Sequence, residues 1–539
     1  MAASDSLTLN YTIASPRQYG IQTLPDGLPS FIYEEMKADA TVYENMLASL
    51  ESFSISSLSF QQQVLYRCLQ ETLENDIQGQ NYLDFSQSIG PTTGIQAQLP
   101  VLLAEFRFDE TEDIDQYFSL LRSIPNYFSS LLALEQHKRE TKTLPSQGTL
   151  ERIREQCQEF LDSDGQTMLT NSFEKKLSDL AFLTDTEKES YRQEQSGLVT
   201  DYVIPAYETF IEGITSLIPY AGTEGNLCSY PNGGAYYDFL VKEMTGSGRS
   251  TSELEQEMTE TLNNAHTTLI NLAAKNPSLF STCQSYVTKF HSSEEILDTL
   301  KEKITADFPS IGDVSYEVKS VDSSLENFLS PAFYLTPPID DADDNVIYIN
   351  NSQQYDSSSL FNTLAHEGYP GHLFQTCYMY RKNLPNLRYL LDYGGYTEGW
   401  ATYSEIYSYS YTGISDDEAA ILQNNMIQSL CLYGLCDIGV HANGWDETDC
   451  LKFLRQYGNW SEDTAENVYN AVTDEPASYL KYTVGYMEIL RLKEKMKTDL
   501  GDSYSEKTFH TFMLDMGPAS FPLLEDFMEE WCLQNGCIS

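Results

Sequence analysis

Basic residues are scarce in this chain. Lysine and arginine together number 32 among 539 residues, against 80 aspartates and glutamates, which gives a formal net charge of −48. That balance argues against a nucleic-acid binder, whose phosphate contacts need a basic face, and equally against docking on anionic lipid. It favours neutral or cationic ligands over anionic ones. Long apolar runs are missing too. No stretch approaches the roughly 18 uncharged residues of a membrane span, so no stable membrane insertion is expected. There is no Gly-x-Ser-x-Gly elbow, no phosphate loop and no dinucleotide fingerprint; Thr245-Gly-Ser-Gly lacks the lysine a phosphate loop needs. The start, Met1-Ala2-Ala3-Ser4-Asp5, carries neither a basic n-region nor an apolar h-region. We read it as an exported protein whose leader has been removed, with a cytosolic protein as the alternative.

What is present suits a folded protein. Hydrophobic residues make up 41% and aromatics 12%, enough for a large core and too much for wholesale disorder. The ten cysteines are scattered; their even number permits disulfides and equally permits buried thiols. Neither Cys431-x4-Cys436 nor Cys532-x4-Cys537 forms a zinc-ribbon pair. Apolar residues at three-and-four spacing predict helices over 114–134, 150–161 and 252–274, and again over 417–432, 465–473, 479–500 and 505–516. Asp185, Ser252 and Ser293 stand where N-caps belong. One segment breaks the pattern: 332–335 and 346–349 are β-branched or aromatic, are separated by Pro337-Pro338 and an acidic loop, and read as two strands. The expected fold is mainly α and bilobed. Residues 1–325 form a helical lobe walling a cleft, residues 326–539 a lobe that carries the chemistry, and the two make one continuous unit.

The densest cluster of histidine and carboxylate follows the strands, in His366-Glu367-Gly368-Tyr369-Pro370-Gly371-His372. Two histidines one helical turn apart, with a glutamate beside the first, form the zinc motif of many metallopeptidases. Here the spacing is i and i+6, which in an unbroken helix separates the side chains by about 240° and about 9 Å. Pro370-Gly371 must therefore bulge or break the helix if the imidazoles are to meet. A catalytic site of this kind needs a third protein ligand. Glu398, in Thr397-Glu398-Gly399-Trp400-Ala401-Thr402-Tyr403-Ser404-Glu405, is assigned that role, with Glu405 orienting a ligand histidine; the swapped assignment stays open. The strand before the motif would hold an extended substrate by main-chain bonding.

These residues resemble the bacterial domain of unknown function 885 family, whose members carry His-Glu-x-x-Pro-Gly-His followed by Glu-Gly-Trp-Ala-x-Tyr-x-Glu. The likeness extends to Tyr348-Ile349-Asn350, Asp437-Ile438-Gly439-Val440-His441 and Tyr482-Thr483-Val484-Gly485. Leu373 departs from it, since many members have a second histidine after the one matching His372. The family in turn resembles helical gluzincin peptidases such as thermostable carboxypeptidase and thimet oligopeptidase. The resemblance implies a zincin-like helical fold with a small sheet beside the metal-binding helix, and a metallopeptidase with one Zn2+ per chain. It also implies an extracellular or cell-surface place, often as a lipoprotein.

The expected site is thus His366, His372 and Glu398 on zinc, Glu367 as general base, and Tyr482 donating to the developing oxyanion. His441 is a second oxyanion candidate, with Asp437 one turn before it fixing its tautomer; a satisfied interior histidine is the alternative. Arg491 is a candidate for gripping a substrate carboxylate through its planar fork, with Arg388 and Arg381 as rivals. Tyr348 is a further substrate contact. The expected activity is zinc-dependent hydrolysis of peptide bonds in short or flexible peptides. The alternatives are an exported peptide- or solute-binding protein without catalysis, and an amidase on non-peptide amides. Neither the scissile bond nor the oligomeric state is set by the sequence.

Overall fold

The computed structural model describes residues 4–162, 165–223, 225–283, 290, 292–321, 331–351 and 360–537. Among the described residues the chain is mainly helical with one three-stranded sheet. The long helix α1 (Thr111–Thr141) shows why the sequence pattern succeeds: Ile114, Phe118, Leu121, Phe128 and Leu131 lie on one side and are all buried. It packs with α2 (Gln147–Asp162) and α3 (Ile204–Leu217) around a first core that includes Leu99, Phe160, Tyr207 and Phe210. The caps sit one or two residues earlier than the sequence suggested. Thr184, Ser250 and Ser292 accept the amide protons of Glu187, Glu253 and Glu295, because a hydroxyl reaches the N–H three residues ahead of it.

A second, larger core begins with α4 (Gly233–Thr245) and α5 (Thr251–Lys275) and continues beyond the sheet. There it takes in α6 (Leu360–Glu367), α7 (His372–Arg381), α8 (Gly394–Ser408), α9 (Asp416–His441), α10 (Glu462–Asp474), α11 (Leu480–Leu500) and α12 (Glu506–Met516). The first core is built from residues 89–217 with Val321, whereas the second draws on 64–68, 227–311 and 332–532. The expected lobe boundary at 325/326 lies outside the described residues; Leu240, Leu254, Met258, Leu262, Leu297 and Phe308, which precede it, are buried in the second core. Periodicity reveals that a helix has a buried face and does not name the partner that buries it.

The sheet order is β1 (Glu317–Ser320), β3 (Val346–Ile349), β2 (Ala332–Leu335), with β1 parallel and β2 antiparallel to β3. β2 and β3 fall on the residues expected. β1 was not expected: Glu-Val-Lys-Ser is largely exposed and lacks the apolar alternation that marks a strand. The sheet lies between the cores. Ala332, Tyr334, Ile347 and Ile349 enter the second core, while Phe333 and Tyr348, stacked at 4.9 Å, pack on the first. Asn350 N–H donates to Pro331 O, so by alternation the main-chain groups of Ala332 and Tyr334 face away from β3. No helix among the described residues is long and apolar enough to cross a membrane.

Candidate functional site

The helix carrying His366 does break where proline and glycine require it. α6 ends at Glu367, Tyr369-Pro370 is cis, and α7 starts at His372. The turn between them is held by Gly371 N–H to Ala365 O (3.0 Å) and by Trp400 Nε1–H to Pro370 O (2.9 Å). A Cβ on Gly371 would lie 1.7 Å from the carbonyl oxygen of His366, so only glycine fits. The break brings the two imidazoles to 4.8 Å between ring centroids, nearly perpendicular to each other.

Around them the carboxylates converge. Glu398 Oε2, from the second turn of α8, lies 3.5 Å from His366 Nε2 and 3.4 Å from His372 Nε2. Glu405 Oε2, two turns along α8, lies 3.3 Å from His366 Nδ1. Potential ligand atoms of His366, Glu367 and His372 all lie within 4.8 Å of one another. The second oxygen of Glu398 faces Lys481 Nζ at 3.7 Å. Glu367 Oε2 accepts the outward amide of Tyr334 at 2.9 Å, which ties the carboxylate to the sheet edge. The imidazoles are 15% and 16% exposed, so the cluster is sheltered yet open to a ligand.

The electrostatics follow from three carboxylates closing on two imidazoles. Burial would lower the His366 pKa, but contacts with Glu398 and Glu405 and the charge of Glu367 push it up to about 10. Burial would raise the Glu398 carboxyl, but His366, His372 and Lys481 hold it well below the usual carboxylate range. The Tyr482 ring sits 6.4 Å from that of His366. Burial, with the charges of Glu398 and Glu367 behind it, raises its phenol far above the ordinary tyrosine value, so it stays protonated and able to donate.

Other expected site residues lie elsewhere. His441 is fully buried with both nitrogens engaged: Nδ1 accepts Leu227 N–H (3.2 Å) and Nε2 donates to Val472 O (2.8 Å). It has no proton to offer an oxyanion, and it is the satisfied interior histidine of the alternative reading. Asp437 does not fix its tautomer; it accepts the Tyr237 hydroxyl and the amide of Ala477 (2.9 Å), a residue at φ 65°. Arg491 is paired with Glu488 (2.9 Å) and Glu525 (2.7 Å), Arg388 is buried against Cys68 and Met516 O, and Arg381 donates to Asp313 O. Tyr348 donates to Glu105 (2.6 Å) on the sheet face turned to the first core. These side chains meet partners within the fold, and spacing alone could not reveal that. The ten cysteines form no disulfide, and eight of them are buried.

Three contributors escaped the sequence reading: the Tyr334 amide, Lys481 and Trp400. All three lie inside segments already singled out, but their roles depend on elements meeting across the core. A cavity of about 470 Å3 lies between loop 86–94, α4 and residues 474–478, lined by Asp76, Glu243 and Glu475 with Tyr236 and Phe239.

A family model described as bacterial protein of unknown function (DUF885) matches residues 17–528. The chain belongs to this family. Two solved structures share the fold of this DUF885 protein. A candidate lipoprotein from Colwellia psychrerythraea superposes with a TM-score of 0.83 at 18% identity, covering 98% of this chain and 96% of its own. A candidate lipoprotein of unknown function from Shewanella oneidensis gives a TM-score of 0.68 at 15% identity, covering 93% and 94%. No curated protein matches.

Proposed function

We propose that this DUF885 protein is a zinc-dependent hydrolase of peptide bonds in short or flexible peptides. One observation carries the reading: a single oxygen of Glu398 lies within 3.5 Å of the Nε2 atoms of both His366 and His372, with the Glu367 carboxylate beside them. Two imidazoles and one carboxylate are the donor set of a catalytic zinc site that keeps a position open. The raised pKa of His366 marks a place where the surrounding carboxylates favour a cation. His366, His372 and Glu398 would hold the ion, and Glu405 orients His366 through Nδ1.

A zinc ion held there would supply Lewis acidity toward a carbonyl oxygen and would bring the pKa of water near neutral. The rest is done by side chains. Glu367 removes a proton from the attacking water as its oxygen bonds to the carbonyl carbon. The same carboxylate then passes the proton to the amide nitrogen as the C–N bond breaks, leaving an acid and an amine. The Tyr334 amide holds Glu367 in place for both transfers. Tyr482 donates to the carbonyl oxygen as negative charge develops there. In the family context we place the protein at the cell surface or outside it, as the descriptions of its structural neighbours suggest.

Elemental analysis and the Glu367→Gln variant test this. The native chain should take up about one zinc. The variant should keep that zinc while turnover falls by at least about a hundredfold. Full activity in the variant would end the mechanism, and a chain that refuses zinc would leave a binding protein instead.

A further inference from the structure

On the strength of the zinc reading above, we propose that Lys481 is a positioning residue for the metal-binding carboxylate: it engages Oε1 of Glu398, so that Oε2 alone faces the two imidazoles. The two oxygens of Glu398 have different surroundings. Oε2 lies 3.5 and 3.4 Å from the histidine Nε2 atoms, and Oε1 lies 3.7 Å from Lys481 Nζ. A carboxylate with one oxygen engaged by an ammonium presents one donor to a metal rather than two, and keeps the coordination number low.

The placement is built into the helix packing. α8 and α11 touch backbone to backbone: a Cβ on Gly399 would lie 2.6 Å from Gly485 Cα, and one on Gly485 would lie 2.1 Å from Gly395 O. Glu398 precedes Gly399, and Lys481 lies one turn before Gly485, so the glycine contact brings the two side chains face to face. The lysine stem runs past Gly394, where a Cβ would meet Lys481 Cδ at 3.6 Å, and Nζ lies 5.2 Å from the Tyr482 ring centroid. Asp392 is within electrostatic reach of the same ammonium. Glu398 thus already pairs with this cation and Asp392 adds to the negative field around it, which makes it a poor receptor for a substrate carboxylate.

The test uses the full chain stripped of metal, as wild type, Lys481→Met and Lys481→Arg. Zinc affinity is measured by competition with a chromogenic chelator, and coordination is read from the visible absorption of Co2+ in the same site. Wild type should take one zinc and give the intense Co2+ bands of four-coordination. Lys481→Met should bind zinc about ten- to a hundredfold more weakly, with weaker Co2+ bands as Glu398 turns both oxygens to the ion. Lys481→Arg should recover most of the affinity. Wild type loading one zinc while Lys481→Met matches it in affinity and spectrum would overturn this proposal and leave the zinc reading standing. A wild type that takes no zinc would remove both. A KM increase in Lys481→Met confined to a peptide with a free C-terminal carboxylate, absent with its amidated twin, would assign the lysine to substrate and also overturn the proposal. Should Lys481→Met fail to fold, Lys481→Gln carries the same measurements.

Discussion

At the scale of single residues, Gly371 does most to make the site. Its missing side chain lets the chain pass against the carbonyls of His366 and Ala365, and that passage turns a six-residue spacing into a pair of facing imidazoles. Gly371→Ala should destabilise the protein by about 3 kcal/mol, at the upper end for one substitution, because the obstacle is backbone and cannot swing aside. It should also lose zinc; a variant that unfolds at the wild-type midpoint with zinc retained would refute this account of the turn. His441 and His510 make a second residue-scale case. Burial lowers the His441 pKa to about 4 and that of His510 to about 3, so both stay neutral in the folded chain while unfolded imidazoles protonate below pH about 6.5. The unfolded state then binds more protons, and stability falls as pH drops from about 6.5 toward 4. Urea unfolding followed across that window should show the loss, and His441→Gln should flatten it if the variant folds. An unchanged slope would mean the histidine titrates freely.

At the scale of elements, the contact between α8 and α11 decides more than any strand. Gly399 and Gly485 bring Glu398, Tyr482 and Lys481 to one side of the motif, while Trp400 on α8 secures the turn at Pro370. Gly399→Ala pushes the helices apart and should cost about 1–3 kcal/mol as an overpacking change. Its sharper signature is functional: zinc affinity and turnover should fall together, and a variant equal to wild type in both would show that the close approach is incidental. The start of α11 is fixed from behind. Asp437 takes the amide of Ala477 at φ 65°, and Arg152 of α2 grips Asp474 at 2.6 Å, so the first core reaches the segment that launches Tyr482. The i, i+4 spacing assigns Asp437 to His441. That argument is sound about the helix face and silent about the neighbour facing it.

At the scale of the whole molecule, the net charge of −48 sets the field in which any ligand arrives. The cavity beside α4 repeats it locally, with Asp76, Glu243 and Glu475 in its wall. Cationic and neutral peptides should give higher kcat/KM than anionic ones of the same length. The difference should shrink as salt is raised, since charges beyond about 10 Å are screened at 0.1 M. A preference for acidic peptides, or one indifferent to salt, would contradict this. The sheet, set between two cores, also acts at this scale: its outer edge is placed against Glu367 by burial on both faces.

The sequence by itself determined the long helices, two of the three strands and the cluster. Helical periodicity marked the long helices, β-branched runs marked β2 and β3 to the residue, and the break between His366 and His372 followed from proline and glycine chemistry. These are local properties, carried by neighbouring residues and readable without a partner. Only the tertiary structure decided that β1 exists, that Leu254, Met258 and Leu262 pack in the second core, that Arg491, Arg388 and His441 are already engaged, and that Lys481 stands behind Glu398. Each of those depends on a group far along the chain, and a side chain's pattern states what it needs without stating which distant residue supplies it.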